Sequence, residues 1–166
     1  MKTVFLLLGS NQGNSPAMLA AARRLIQEKL GAIILSSALY RTAAWGKTDQ
    51  PDFLNQALQI QTDHSPTGCL SVIHQIEDEL GRQRTEHWGQ RSLDIDILFY
   101  EQEIIHSARL VVPHPELHNR KFALIPLCNI AAHWEHPIFK RSVAALLADC
   151  PDPLSVFLSN DDLDNR

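Results

Sequence analysis

A chain of 166 residues is the size of one domain with its loops, which excludes a multidomain machine. With 45% apolar and 20% charged residues, 9 Pro and 7 Gly, it is neither a disordered nor a low-complexity sequence. Fifteen Lys and Arg against 19 Asp and Glu give a formal charge of −4, which argues against a protein that coats nucleic acid through bulk charge and leaves room for a local basic site.

Val4 to Leu8 is an uninterrupted apolar run bounded by Gly9, Ser10 and Asn11, which predicts a buried central strand. The run is too short for a membrane span or a complete signal peptide, so a cytoplasmic protein without a membrane partner is expected. Ser15 and Pro16 signal a helix start, Met18, Ala22, Leu25, Ile26 and Leu30 keep a helical stripe, and Gly31 marks its stop. Ile33 to Tyr40 and Phe53 to Gln61 predict two strands joined by a loop that holds Ala43, Ala44, Trp45 and Gly46. Ser65 and Pro66 repeat the helix start, Cys69, Ile73, Ile76 and Leu80 face a core, Leu70, His74 and Glu77 form a neighbouring stripe, and Gly81 closes the helix. Residues 82–91 lack apolar periodicity and gather Arg82, Arg84 and Arg91 around Trp88 and Gly89, as a mobile basic loop would. Leu93, Ile95 and Ile97 then alternate with Asp94 and Asp96, which predicts a strand with one apolar and one carboxylate face.

The remainder is less regular. Val111 and Val112 precede Pro113, a helical stretch starts at Asn119 and is interrupted at Pro126, and an Ala/Leu-rich helix runs from about Ser142 to Asp149. Residues 1–150 are expected as a single domain and 151–166 as an acidic, frayed tail carrying Asp161, Asp162 and Asp164. The order βαββαβ predicts an α+β class, a ferredoxin-like sandwich with additional C-terminal strands and helices, its helices on one sheet face and the other face open to ligands. Cys69, Cys128 and Cys150 are far apart and in no C-x-x-C pair, which suggests neither a disulfide framework nor a zinc cage.

The first chemical signal is Asp94-Ile95-Asp96, since side chains two apart on a strand put two carboxylates side by side. Hard oxygen ligands so placed suit Mg²⁺ with substrate phosphates, and an isolated Asp-x-Asp also fits a solvated strand face. Arg82, Arg84 and Arg91 just upstream could bind polyphosphate oxygens, or could pair with Glu77, Asp78, Glu79 and Glu86 on a solubilising loop. Gly9 to Gly13 lacks G-x-G-x-x-G and a Walker lysine and is read as a tight turn between strand and helix. His114 to His118 is not H-E-x-x-H, so zinc is not expected there. Phe53 and Asn55 share a strand face and would place a ring beside an amide, although sheet packing explains such a pair equally well.

Several motifs in one order then carry a resemblance. Gly9-Ser10-Asn11, Tyr40-Arg41-Thr42, Asp49 to Asn55, Arg82-x-Arg84, Trp88 to Leu98, Val112-Pro113-His114-Pro115 and Asn119 to Phe122 resemble the 6-hydroxymethyl-7,8-dihydropterin pyrophosphokinase family of folate biosynthesis. The resemblance implies transfer of the β,γ-diphosphate of ATP to the hydroxymethyl oxygen of the dihydropterin, with release of AMP; a monomer is the default expectation. It implies that Asp94 and Asp96 hold two Mg²⁺ ions, that Arg82, Arg91, His114 and Arg120 neutralise the triphosphate, and that Arg84 and Trp88 ride on a closing loop. Leu70, His74, Glu77, Ile97, Arg109 and Val111 would form the nucleotide site. Phe53 and Phe122 would sandwich the pterin, while Asn55 and the backbone from Thr42 through Ala43 to Trp45 read its edge and Asp94 lies near the reacting hydroxyl. Catalysis is expected to rest on Arg82, Arg91, Asp94 and Asp96, with closure of loops 42–51 and 82–91 excluding water. Two other classes share some of these features: a different Mg-dependent nucleotidyl or phosphoryl transferase, and a non-catalytic ferredoxin-like binding module.

Overall fold

The computed structural model describes residues 1–43, 51–81 and 93–160. Strand β1 (Lys2–Ser10) is central, with β4 (Phe53–Thr62) on one side and β5 (Asp94–Tyr100) on the other, both antiparallel to it. Beyond β4 lie β2 (Ala32–Ser36), β3 (Tyr40–Thr42) and, paired to β3, β8 (Val156–Leu158), so the sheet reads β5-β1-β4-β3-β8 with β2 also on β4. A separate two-stranded piece is made by β6 (Ile105–His106) and β7 (Val111–Val112).

Both faces of the sheet are covered, which is why β1 is apolar without alternation. Val4, Leu6 and Leu8 point to one face and share a core with α1 (Ser15–Lys29) and α2 (Pro66–Glu79). Phe5 and Leu7 point to the other, where α3 (Lys121–Ala131) and α4 (Val143–Ala148) lie. The expected open face is therefore half closed: among the described residues, α3 and α4 cover it around Phe5 and Phe99 and leave its end near Asp94 uncovered.

Local signals set most boundaries. Helix α2 is capped by Ser65, whose Oγ accepts from Gly68 N at 3.1 Å, and Gly81 leaves the helix at φ +84°. Ser142 caps α4 by accepting from Ala145 N at 3.1 Å. Helix α1 starts one residue earlier than the cap signal suggested, because Asn14 rather than Ser15 accepts from Ala17 N, and Leu19 is fully buried where Met18 is only half-buried.

Three expectations are corrected. The single strand at Ile33 to Tyr40 is two strands, since Ser37 leaves the ladder to receive Ala57 N on its Oγ at 2.9 Å and Gln56 Nε2 on its carbonyl at 2.8 Å. Helix α3 runs through Pro126 instead of stopping there. A proline inside a helix costs about 3 kcal/mol, and burying Leu124 and Leu127 completely recovers roughly 2 kcal/mol each. Residues 151–160 are not frayed: buried Asp152 accepts from Lys121 N at 3.1 Å and from Leu154 N at 3.0 Å, and β8 follows. Residues 161–166 lie outside the described residues. No described helix is long and apolar enough to cross a membrane.

Candidate active site

The uncovered end of the sheet holds a cavity of about 500 Å³. Strand register builds its floor: Gly9 of β1 lies opposite Asn55 on one side and Asp94 on the other, while Leu7 lies opposite Asp96. Thr42, opposite Phe53, and Ala43 form one wall. Phe122 and Arg120, at the start of α3, form another, and Arg120 places its guanidinium 5.7 Å from the Phe122 ring centroid. Thus Thr42, Ala43, Phe53, Asn55, Asp94, Asp96, Arg120 and Phe122, scattered over the sequence, line one space.

Among the described residues, Asn55 Oδ1 and Thr42 Oγ1 are buried in this space without a hydrogen-bond partner. Burying an unpaired polar atom costs 1–3 kcal/mol, roughly, so a ligand that pairs with them recovers a deficit built into the fold. Asn55 is held in register by its other amide atom, since Nδ2 donates to Leu8 O at 3.2 Å. That placement depends on Gly9, where a Cβ would stand 2.8 Å from Asn55 Nδ2. Gly9 and Ser10 are the last residues of β1, so the turn expected from Gly9 onward begins only at Asn11.

The cavity has two chemical ends. Asp94 and Asp96 are half-buried carboxylates on one face of β5. Their pairing, with no cluster of three or more His, Cys, Asp or Glu among the described residues, fits a hard cation completed by substrate oxygens and water better than a protein cage. His114 stands near Asp96 and Arg120; burial pushes its pKa down, the Asp96 and Glu116 carboxylates pull it up, and Arg120 adds to the lowering. Its Nδ1 accepts from Glu116 N at 3.2 Å. With Nδ1 accepting, a neutral ring carries its proton on Nε2 and can donate from there.

The residues expected to hold nucleotide do not line this cavity. Leu70 packs beside the core that contains Ile97, Glu77 is buried and accepts Ile95 N on Oε2 at 3.0 Å, and His74 and Arg109 are exposed. Leu70, His74 and Glu77 stand on α2, Ile97 follows Asp96 on β5, and Val111 opens β7 two residues after Arg109. Trp45, Arg82, Arg84, Trp88 and Arg91 lie outside the described residues. The sequence reading missed Leu7, Glu116, Asn119 and Leu154 as lining residues, and missed the floor role of Gly9. Glu116 and Asn119 are tied by an Asn119 Nδ2 to Glu116 Oε2 bond of 3.2 Å, a local pairing that a polar i, i+3 spacing hints at.

Comparison with known proteins gives one family. The family model described as 7,8-dihydro-6-hydroxymethylpterin-pyrophosphokinase matches residues 5–132. The chain is 40% identical over 133 residues to the 2-amino-4-hydroxy-6-hydroxymethyldihydropteridine pyrophosphokinase of Haemophilus influenzae, covering 80% of this chain and 83% of that one. It is 46% identical over 132 residues to the enzyme of the same name from Methylorubrum extorquens, covering 79% and 84%. Among solved structures, wild-type HPPK-DHPS of Plasmodium falciparum superimposes with a TM-score of 0.72 at 17% identity, over 89% of this chain. The chain spans only 44% of that longer protein, and the likeness carries the fold alone.

Proposed function

This chain belongs to the 7,8-dihydro-6-hydroxymethylpterin-pyrophosphokinase family, and we propose how its own residues divide the transfer of diphosphate from ATP to the hydroxymethyl oxygen of the dihydropterin. The observation that carries the reading is the pair of unsatisfied atoms, Asn55 Oδ1 and Thr42 Oγ1, in a cavity walled by Phe53 and Phe122. A flat heterocycle whose edge bears N–H and carbonyl groups stacks between the rings and satisfies both atoms. A ligand lacking that edge leaves them buried and unpaired, which is how a polar site rejects an analogue.

With the pterin so placed, its hydroxymethyl arm points to the Asp94 and Asp96 end. Those carboxylates would hold Mg²⁺, two ions in the family reading, whose chemistry is to neutralise phosphate charge and to acidify the attacking hydroxyl. Arg120 contributes a guanidinium to phosphate oxygens and His114 a donor from Nε2. Arg82, Arg84, Trp88 and Arg91 are assigned to the triphosphate by resemblance, as catalytic cations and loop residues. Leu70, His74, Glu77, Ile97, Arg109 and Val111 are assigned to the nucleotide. The strand order, with β1 between β4 and β5 and all pairs antiparallel, supports the ferredoxin-like description of the sandwich. Three cysteines without disulfides fit a cytoplasmic location.

The deciding assay mixes protein, ATP, Mg²⁺ and 6-hydroxymethyl-7,8-dihydropterin and follows AMP and pterin diphosphate, with EDTA and pterin-free controls. AMP and pterin diphosphate form together only in the complete mixture. AMP appearing equally without the pterin, or the complete mixture staying inert, overturns the reading.

A further inference from the structure

Helix α3 begins without a cap of its own. Its N-cap residue, Arg120, makes no side-chain cap bond, and the first helical N–H, that of Lys121, donates instead to Asp152. Asp152 is 4% exposed and uses both carboxylate oxygens: Oδ2 accepts from Lys121 N at 3.1 Å and Oδ1 from Leu154 N at 3.0 Å. A carboxylate complements the positive end of a helix, and hydrogen bonds to a charged group are the strong ones. One side chain thus ties the start of α3, which carries Phe122, to the turn that carries Leu154.

Leu154 is half-buried and lines the same cavity as Phe122. Its segment is anchored on both sides. Asp152 sits between Pro151 and Pro153, whose rings stiffen the backbone, and two residues past Leu154 the strand residue Val156 pairs with Thr42, which also lines the cavity. The match to the family model ends at residue 132, so it assigns neither Asp152 nor Leu154. We propose that Leu154 supplies an apolar contact to the pterin in addition to Phe53 and Phe122, and that Asp152 is a positioning residue that holds Leu154 and Phe122 at the spacing the ring requires. This inference rests on the pterin reading of the cavity.

The test measures binding of 6-hydroxymethyl-7,8-dihydropterin to the full chain by titration calorimetry, with Mg²⁺ and saturating α,β-methylene ATP, whose bridging carbon blocks the cleavage that would release AMP. Leu154→Ala should raise the pterin Kd roughly fivefold through lost apolar contact, and Asp152→Ala roughly tenfold. The Kd of the nucleotide analogue should move far less in both. Asp152→Asn keeps one acceptor oxygen and should fall between Asp152→Ala and the wild type. Because Asp152 acts through the wall, its removal should add little once Phe122→Ala and Leu154→Ala are both present, whereas a purely structural role would weaken binding by the same factor in either background. Equal losses for pterin and nucleotide, an undiminished Asp152→Ala effect in that background, or a pterin Kd untouched by Leu154→Ala overturns the proposal. Should Asp152→Ala fail to fold, Asp152→Asn in the two backgrounds decides in its place. A wild type that binds the pterin, with these differences among its variants, yet makes no AMP supports this assignment and fails the transfer reading alone; a wild type that binds no pterin overturns both.

Discussion

Gly9 shows how much can hang on one missing side chain. It is the next-to-last residue of β1, still paired on both sides, where glycine weakens a strand, and the reason for it is the 2.8 Å approach that its Cβ would make to Asn55 Nδ2. Gly9→Ala should push the Asn55 amide off Leu8 O and raise KM for the pterin about tenfold, the equivalent of one hydrogen bond, with little change in KM for ATP. Steady-state kinetics with each substrate varied separately decides this, and equal shifts for both would remove Asn55 from pterin recognition. Phe122→Ala should follow the same asymmetry through lost stacking. Asp96→Ala should instead leave the unfolding midpoint nearly unchanged, since the side chain is half-exposed, and lower turnover by orders of magnitude in a coupled AMP assay. Period-two alternation pairs Asp94 with Asp96 and Phe53 with Asn55 on strand faces, and the family resemblance is what turns those pairs into site expectations. The floor role of Gly9 was not legible, because it exists only once β4 is laid in register beside β1.

Among the elements, β5 is an edge strand, and edges present unpaired backbone groups. Buried Glu77 closes part of that edge by accepting Ile95 N, which ties α2 to the strand that carries both aspartates. Glu77→Ala should cost about 1–3 kcal/mol of stability by orphaning that N–H, and should speed hydrogen exchange of the Ile95 amide before it affects the rest of the sheet. Unchanged exchange at Ile95 would mean that Glu77 does not hold this edge. Such ties mark the limit of sequence reading. Helices α1, α2 and α4 and strands β1, β4 and β5 were visible because caps and periodicity are local. The split of β2 from β3 depends on Ser37 meeting Ala57, the survival of α3 through Pro126 depends on what Leu124 and Leu127 bury, and the order of residues 151–160 depends on Asp152 meeting Lys121 N. Each of those partners is distant in sequence.

The layer formed by α3, α4 and the connection between them makes the molecule acid-sensitive as a whole. His136 is 2% exposed, between Phe99 at 5.6 Å and Phe139 at 4.5 Å, and its Nδ1 accepts from Ile138 N and Phe139 N, each at 3.2 Å. Burial pushes its pKa down to about 4, and the neighbouring His118 adds to the lowering. The unfolded chain, with an imidazole near pKa 6.5, takes up a proton that the folded chain refuses, so its stabilising contribution is complete above about pH 6.5 and is lost as pH falls toward 4. The loss should be on the order of 2–3 kcal/mol, a sizeable share of the 5–15 kcal/mol typical of a domain. Denaturant unfolding between pH 7 and 4 measures it. His136→Asn keeps an acceptor near the Nδ1 position without the titration, so its profile should be flatter over this window even if its stability at pH 7 is lower. An unchanged slope in that variant would move the acid sensitivity to other groups, with His114, also lowered by burial, the next to replace.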